Sequence, residues 1–315
     1  MGIMDKALVT ILTAPKPFVD AHISTIQRNA LRSWLALGNE VKVIVLGDDE
    51  GISENAKELC IKHISGVRCN EKGTPLISSM LELARQETDS PYLAIVNADI
   101  ILFDDFLKAI KLVGNQFDKF LLVGQRWDMG VTEELETLSA FKALKKNIQS
   151  MGRLHPPAGS DYFVFPRTCY RSIPDFAIGR AGWDNWFIFK SRFEGWKVVD
   201  GTYQVTIVHQ DHDYRHLPGG QPHYRLPETR MNVTLGGGEH TIFTLFDVQY
   251  RLMEGHVSHQ PFSFKKMLRE IEIMPLTFFR SLLLGKVFHF LFHPRKGYAA
   301  IRAAISGAGR KDDDR

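Results

Sequence analysis

Short apolar runs alternate with longer stretches of helical spacing through the first third of the chain. Ala7 to Leu12, Val41 to Leu46 and Leu93 to Val96 are continuous and rich in β-branched residues, the pattern of strands covered on both faces of a parallel sheet. Between the first two, Asp20 to Leu37 spaces Ile23, Ile26, Ala30, Leu31, Trp34 and Leu35 along one helical face and stops at Gly38-Asn39. The same reading predicts helices over Ser53 to Cys60 and Leu76 to Thr88, with a short strand at Lys62 to Ile64. After Val96, Asp104-Asp105-Phe106 opens a helix to Val113, and Phe120 to Val123 is the next strand. Strand and helix at this interval mean βαβ units, right-handed crossovers and an α/β, mostly parallel, Rossmann-like sheet.

The alternation then weakens. Thr132 to Gln149 has amphipathic helical spacing, and 152–240 is rich in Gly, Pro, His and aromatic residues. Two strands are expected there, Tyr162 to Phe165 and Gln204 to His209, in a block whose composition suits a site wall built from loops. Phe264 to Ile305 is helical in spacing but carries Leu and Phe on most turns. The expected organisation is an α/β half over 1–125, a loop-rich second half of the same domain over 126–260, and a basic amphipathic helical tail over 261–315.

Composition narrows this picture. With 44% hydrophobic and 24% charged residues, 315 residues can bury a sizeable core. The net charge of +3 is unevenly spread: Pro261 to Lys311 holds ten Lys/Arg against two Glu, while 1–260 holds 28 basic and 31 acidic residues. Basic residues interleaved with Phe and Leu suit a helix lying on an anionic membrane surface, or one packed on the catalytic domain or a partner; nucleic acid is the poorest fit. Three scattered cysteines (Cys60, Cys69, Cys169) suit a reducing compartment, and neither a leader pattern nor an 18-residue apolar run is visible. The expected location is the cytoplasm, with the tail peripheral on the inner face of the membrane.

Three strand ends carry candidate chemistry: Thr13-Ala14-Pro15, Gly47-Asp48-Asp49 and Asn97-Ala98-Asp99. In a parallel sheet all three open on one edge, where α/β sheets bind ligands. Asp48 or Asp49 can accept from a base N–H, the Lys72-Gly73 turn can bring a cation and backbone amides to a diphosphate, and Asp99 can hold a bridging divalent ion or cap the helix that follows. Neither Gly-x-Gly-x-x-Gly nor a Walker loop is present. His209-Gln210-Asp211-His212 ends a predicted strand; His209 is the expected ligand and His212 the next candidate, while His216 and His223 read as loop residues. Imidazole with carboxylate suits Mn²⁺ better than Mg²⁺, and the spacing also allows a metallohydrolase. Trp127, Asp128, Asp161, Trp183 and His212 suit sugar or acceptor contacts or, for the tryptophans, core packing. Asp184 reads as a general base or as a first-turn helix acid. Gly219-Gly220 and Gly236-Gly237-Gly238 read as closing loops or plain turns.

Val43 to Gly51 followed by Asn97-Ala98-Asp99, then Gly159 to Arg167, Gly182-Trp183-Asp184-Asn185-Trp186 and His209, resembles in order the GT-A-fold glycosyltransferases of the family-2-like group. The resemblance spans roughly residues 7–215. It implies a hexosyltransferase that uses Mn²⁺ or Mg²⁺ and a nucleotide-sugar donor, UDP-sugar favoured, with a glycan or lipid-linked acceptor, in polysaccharide biosynthesis. It assigns donor contacts to Thr13, Ala14, Pro15, Asp48, Asp49, Lys72, Gly73, Asn97 and Asp99, metal binding to Asp99 and His209, and the base of an inverting displacement to Asp184. Asn97 stands where relatives have a first Asp, and Asn185 where many have a second acid. A nucleotidyltransferase of nucleotide-sugar metabolism and a catalytically silent glycan-binding module are the alternatives.

Overall fold

The computed structural model describes residues 6–212 and 226–295. Strand β1 (Val9–Thr13) is buried at every position and pairs in parallel with β2 (Val41–Leu46) on one side and β4 (Tyr92–Val96) on the other. Between them run α1 (Ala21–Leu35), α2 (Ile52–Glu58), β3 (Lys62–Ile64) and α3 (Ile77–Glu87). Helix α1 starts where Asp20 accepts from the Ile23 amide at 2.9 Å, an N-cap that satisfies one of the helix's free donors. Its Trp34 is fully buried and donates through Nε1 to the Ile100 carbonyl at 2.8 Å.

The chain continues through β5 (Ile100–Leu102), α4 (Asp105–Gly114), β6 (Phe120–Val123), β7 (Trp127–Met129), α5 (Leu138–Met151), β8 (Arg153–Leu154) and β9 (Tyr162–Pro166). It then forms α6 (Trp183–Phe193), β10 (Lys197–Asp200), β11 (Ile207–Gln210), α7 (Pro227–Leu235) and a hairpin of β12 (Tyr250–Met253) and β13 (His256–His259). The main sheet has the order β13-β12-β10-β6-β9-β4-β1-β2-β3. It is parallel except for β9, wedged antiparallel between β4 and β6, and the edge strand β13. Strand β9 shows why both faces are covered. Tyr162 and Val164 join the core beneath α4, while Phe163 and Phe165 point the other way into an aromatic cluster with Tyr170, Trp183 and Phe187.

A second sheet, in the order β5-β11-β7-β8, lies beyond the carboxyl end of β4. Its short strands carry the candidate site. Residues 1–191 and 196–260 form one compact unit; Arg192–Gly195 and the chain from Pro261 form another, containing α8 (Phe264–Thr277) and α9 (Leu282–Phe292).

Some boundaries differ from those read in the sequence. The helix expected from Thr132 begins at Leu138, where Thr137 accepts from the Ala140 amide. The strand expected from Gln204 begins at Ile207, because the Gln204 and Val205 amides are spent on the Gly201 carbonyl in a turn. The single helical tail is two helices, broken at Phe278–Ser281 where Arg280 has φ 52°. Among the described residues no helix is long and apolar enough to cross a membrane, and all three cysteines are free thiols.

Candidate metal and donor site

Strand register builds the site. Strand β11 pairs antiparallel with β5, setting His209 opposite Ile100, and parallel with β7, setting His209 opposite Asp128. Because Asp99 immediately precedes β5, its carboxylate arrives beside the same imidazole. His209 Nε2 lies 3.8 Å from Asp99 Oδ2, and His212 Nε2 lies 3.1 Å from the same oxygen. One ligand atom from each of Asp99, His209 and His212 lies within 4.8 Å of the others. Gln210 locks the arrangement from below. Its side-chain amide donates to the Ile26 and Asp99 carbonyls, and its oxygen accepts from Asn29 of α1.

Behind these residues lies a buried ion network. Arg126 donates to Asp128 Oδ1 at 2.9 Å and to Asp161 Oδ2 at 2.7 Å, and both acids are almost fully buried. Asp161 also accepts from Asn97 Nδ2 at 2.7 Å, and its carbonyl accepts the Asn97 amide. Asp128 additionally meets His155 Nδ1 at 2.8 Å, and lies 3.4 Å from His209 Nδ1 without hydrogen-bond alignment. Burial opposes the charge on Asp128, but His209, His155 and Arg126 outweigh it and hold the carboxyl far below the ordinary range. For Asp99 burial likewise opposes ionisation, and His209, His212 and Lys16 together hold it ionised. In turn Asp99, Asp128 and Asp211 overcome burial to push His209 up to about 9.

The residues suit a divalent ion. Asp99 Oδ1 is buried with no hydrogen-bond partner, a costly state that a cation would relieve. One carboxylate and two imidazoles form a mixed oxygen and nitrogen donor set of the kind Mn²⁺ accepts. Asp128 lies behind His209, where an outer carboxylate would orient a ligating imidazole. Lys16, from the loop after β1, places Nζ 3.4 Å from His212 Nε2. Burial lowers its pKa, opposed by Asp99 and reinforced by the charge of Arg180. The site thus has a fixed positive group next to a cation position, on the edge where β1, β2 and β4 end.

The other candidate residues are placed as follows. Thr13 is buried and Ala14 and Pro15 continue from it along that edge. Asp48 and Asp49 are exposed on the turn after β2, where Asp48 accepts from the Gly66 amide at 2.9 Å. Lys72 and Gly73 form an exposed turn around Asn70, whose Oδ1 accepts the Lys72 and Thr74 amides. That turn is tied down by Glu228 of α7, which accepts from Asn70 Nδ2 and Thr74 Oγ1, each at 2.7 Å, and from Arg180 at 2.9 Å. Asp184 sits half-buried in the first turn of α6 and accepts from the Gly182 amide at 2.9 Å. Burial raises its pKa to about 6, against backbone hydrogen bonds that favour the charge and with the neighbouring Asp161 adding to the rise. Gly182 has φ 108°, and a β-carbon there would lie 3.2–3.3 Å from Val233 and Asn232, so a side chain would both strain the turn and crowd α7.

Four expectations need correction. Trp183 offers no sugar-stacking face: it is buried against Phe163 and Phe187, at ring separations of 4.8 and 5.4 Å. Trp127 is half-buried and packs on the small core of Ile101, Phe103 and Met129. Asp128 and Asp161 are committed to Arg126, so they position His209 and Asn97 and do not face a sugar. Gly236-Gly237-Gly238 is the turn that closes α7, with its amides returning to Asn232, Thr234 and Val233. His216, His223 and Gly219-Gly220 lie outside the described residues, as does the tail beyond Arg295. Sequence reading missed Lys16, Arg126, His155 and Glu228 as site residues. Lys16 and Arg126 each follow a strand end, the one signal available; His155 and Glu228 come from elements whose pairing the sequence does not announce.

No family model matches the chain, and no curated protein matches it. Solved glycosyltransferases overlap with it loosely. Glucosyl-3-phosphoglycerate synthase from Mycobacterium tuberculosis, in complex with phosphoglyceric acid, is 14% identical over 82% of this chain and 88% of that one, with a TM-score of 0.45. A mannosyltransferase from Pyrobaculum calidifontis, in complex with GDP-Man and Mn²⁺, is 12% identical over 64% of this chain and 56% of that one, with a TM-score of 0.40. A mycobacterial protein is 17% identical over 75% and 76%, with a TM-score of 0.43. Overlaps this loose carry no functional argument, and the function is read from the side chains themselves.

Proposed function

We propose that this chain is a metal-dependent glycosyltransferase, taking a sugar from a nucleoside diphosphate donor and passing it to a hydroxyl of a glycan or lipid-linked acceptor. The observation that carries the reading is the meeting of Asp99, His209 and His212 beside Lys16, with one Asp99 oxygen buried and unbonded. Asp99, His209 and His212 would hold the ion, with Mn²⁺ suited to the donor set. When bound, such an ion neutralises charge building on a departing diphosphate. Lys16 adds a second positive group on the same side. Exposed Lys72, on a turn held by Glu228, would meet the outer phosphate or the nucleoside, and Asp48 or Asp49 would meet the base.

Asp184 is the base of the proposal. A carboxylate whose pKa is pushed to about 6 is still ionised near neutral pH and is a better proton acceptor than an ordinary Asp. It would take the acceptor hydroxyl proton as the oxygen attacks the anomeric carbon and the diphosphate leaves, a single displacement that inverts configuration.

The test is a thermal-shift series with UDP, GDP and their sugars, with and without Mn²⁺, followed by donor hydrolysis. The expected result is stabilisation by one diphosphate only when Mn²⁺ is present, and hydrolysis that is lost in Asp184→Asn. Equal stabilisation with and without metal, or hydrolysis unchanged in that variant, would overturn the assignment.

A further inference from the structure

The second unit wears its apolar residues outward. On α8, Phe264, Leu268, Ile271, Met274 and Phe278 recur at helical spacing, a stripe that would face the core of an ordinary amphipathic helix, and every one of them is exposed, Phe278 at 76%. Ile273 and Leu276 of the same helix are buried, and several of its charged residues pair with one another. Arg269 meets Glu272 at 2.8 Å, Lys266 meets Glu270 at 3.2 Å, and Glu272 is buried. Helix α9 repeats the pattern: Leu283 and Leu291 are 73% and 63% exposed, and Gly285 alone is buried, pressed against Leu276 of α8. Contiguous exposed apolar surface on this scale marks a binding face.

Length and charge select the occupant. Helix α9 has 11 residues and α8 has 14, about 16 and 21 Å, against a hydrocarbon thickness of ~30 Å, so neither spans a bilayer. Between Pro261 and Arg295 the chain carries six Lys/Arg and two Glu, a local charge of +4. A second copy would set one such positive surface against another. An anionic lipid headgroup layer reverses the sign and accepts Phe and Leu between its acyl chains. We propose that α8 and α9 lie in the plane of an anionic membrane surface, apolar stripes inserted below the headgroups, with Lys286, Arg280 and Arg295 available to the phosphates.

The full chain is tested by flotation with phosphatidylcholine vesicles and with vesicles in which a third of the lipid is phosphatidylglycerol, at low and high salt, with light scattering in the absence of lipid. The expected result is a monomer that floats with anionic vesicles, is released by salt, and loses about tenfold or more in binding in Leu283→Asp. Leu283 is exposed, so the first unit stays folded and its thermal midpoint unchanged. Lys286→Gln should weaken binding to anionic vesicles by about fivefold, near the value of one basic residue at such a surface. Absence of flotation, equal binding to neutral and anionic vesicles, or a stable dimer in solution that Leu283→Asp dissolves would each overturn the proposal; the last would make this face an interface between copies.

Discussion

Replacing Asp184 by Asn should strengthen the fold while removing the proposed activity, and the two effects follow from one cause. The carboxyl is pushed from 3.8 to about 6 by burial, so the folded chain holds its proton more tightly than the unfolded chain does. Folded protein therefore binds more protons than unfolded protein between these two values, and stability falls as pH rises through them. Below the lower value both states are protonated and the penalty is absent; above the upper value it is complete. A shift of about two units corresponds to roughly 3 kcal/mol, and solvent screening of a half-buried group brings this to about 1–2 kcal/mol. Asn keeps an oxygen for the Gly182 amide, so the main cap contact survives. Urea midpoints of wild type and Asp184→Asn should coincide below pH 3.8 and diverge in favour of the variant as the pH rises from there to about 6. Donor turnover in wild type should fall on acidification through the same window, since the protonated form cannot accept a proton, and the variant should show no turnover at any pH. A variant less stable than wild type near neutrality, or a stability difference that does not change with pH, would refute the burial argument and with it the case for Asp184 as a tuned base.

Asp99→Ala removes the carboxylate from the Asp99, His209 and His212 set; metal-dependent stabilisation by nucleoside diphosphate should vanish, and Mn²⁺ affinity read by calorimetry should fall by about tenfold or more. Arg126→Met strips the partner from two buried acids and should cost about 3–5 kcal/mol in chemical unfolding, with Asp161→Asn recovering part of it in a double-mutant cycle. Glu228→Gln leaves Asn70, Thr74 and Arg180 with a neutral partner; we expect a loss of about 1–3 kcal/mol and a donor KM that rises more than kcat falls, measured by initial rates.

The parallel half of the sheet was legible because Val9 to Thr13, Val41 to Leu46 and Tyr92 to Val96 are fully or nearly fully buried, and a strand buried on both faces reads as an unbroken apolar run. The strand ends followed from that, and so did Asp99, while His209 was read from the apolar run of its own strand, β11. The small sheet did not. Strands β5, β7 and β8 are two or three residues long, too short for any periodicity, and β7 carries an acid in its centre. Their pairing is nevertheless what sets Asp128 and Asp99 on either side of His209, so the outer half of the site was hidden with them. Trp183 illustrates the opposite error. A Trp beside an acid after a Gly has one appearance in the sequence, whether its ring meets a sugar or two phenylalanines, and the alternating faces of β9 decided for the core. The turned-out stripe of α8 has regular spacing, but spacing does not say which way a face looks.

The antiparallel strand β9 in the middle of the sheet has a consequence for how the chain comes to be folded. Strands β1 to β4 can assemble as soon as they are made, yet β4 has no outer neighbour until Tyr162–Pro166 has been synthesised, since β6 pairs with β9 and not with β4. For about seventy residues of synthesis an apolar strand therefore stands at an open edge, its Leu93 and Ile95 backbone groups unpaired on one side. The step that closes that edge also brings Asp161 to Asn97, so the sheet's most exposed moment ends when the candidate site begins to form. A ribosome-stalled chain ending before Tyr162 should be markedly more prone to aggregate than one ending after Pro166, and the difference would measure how long this chain relies on being left alone.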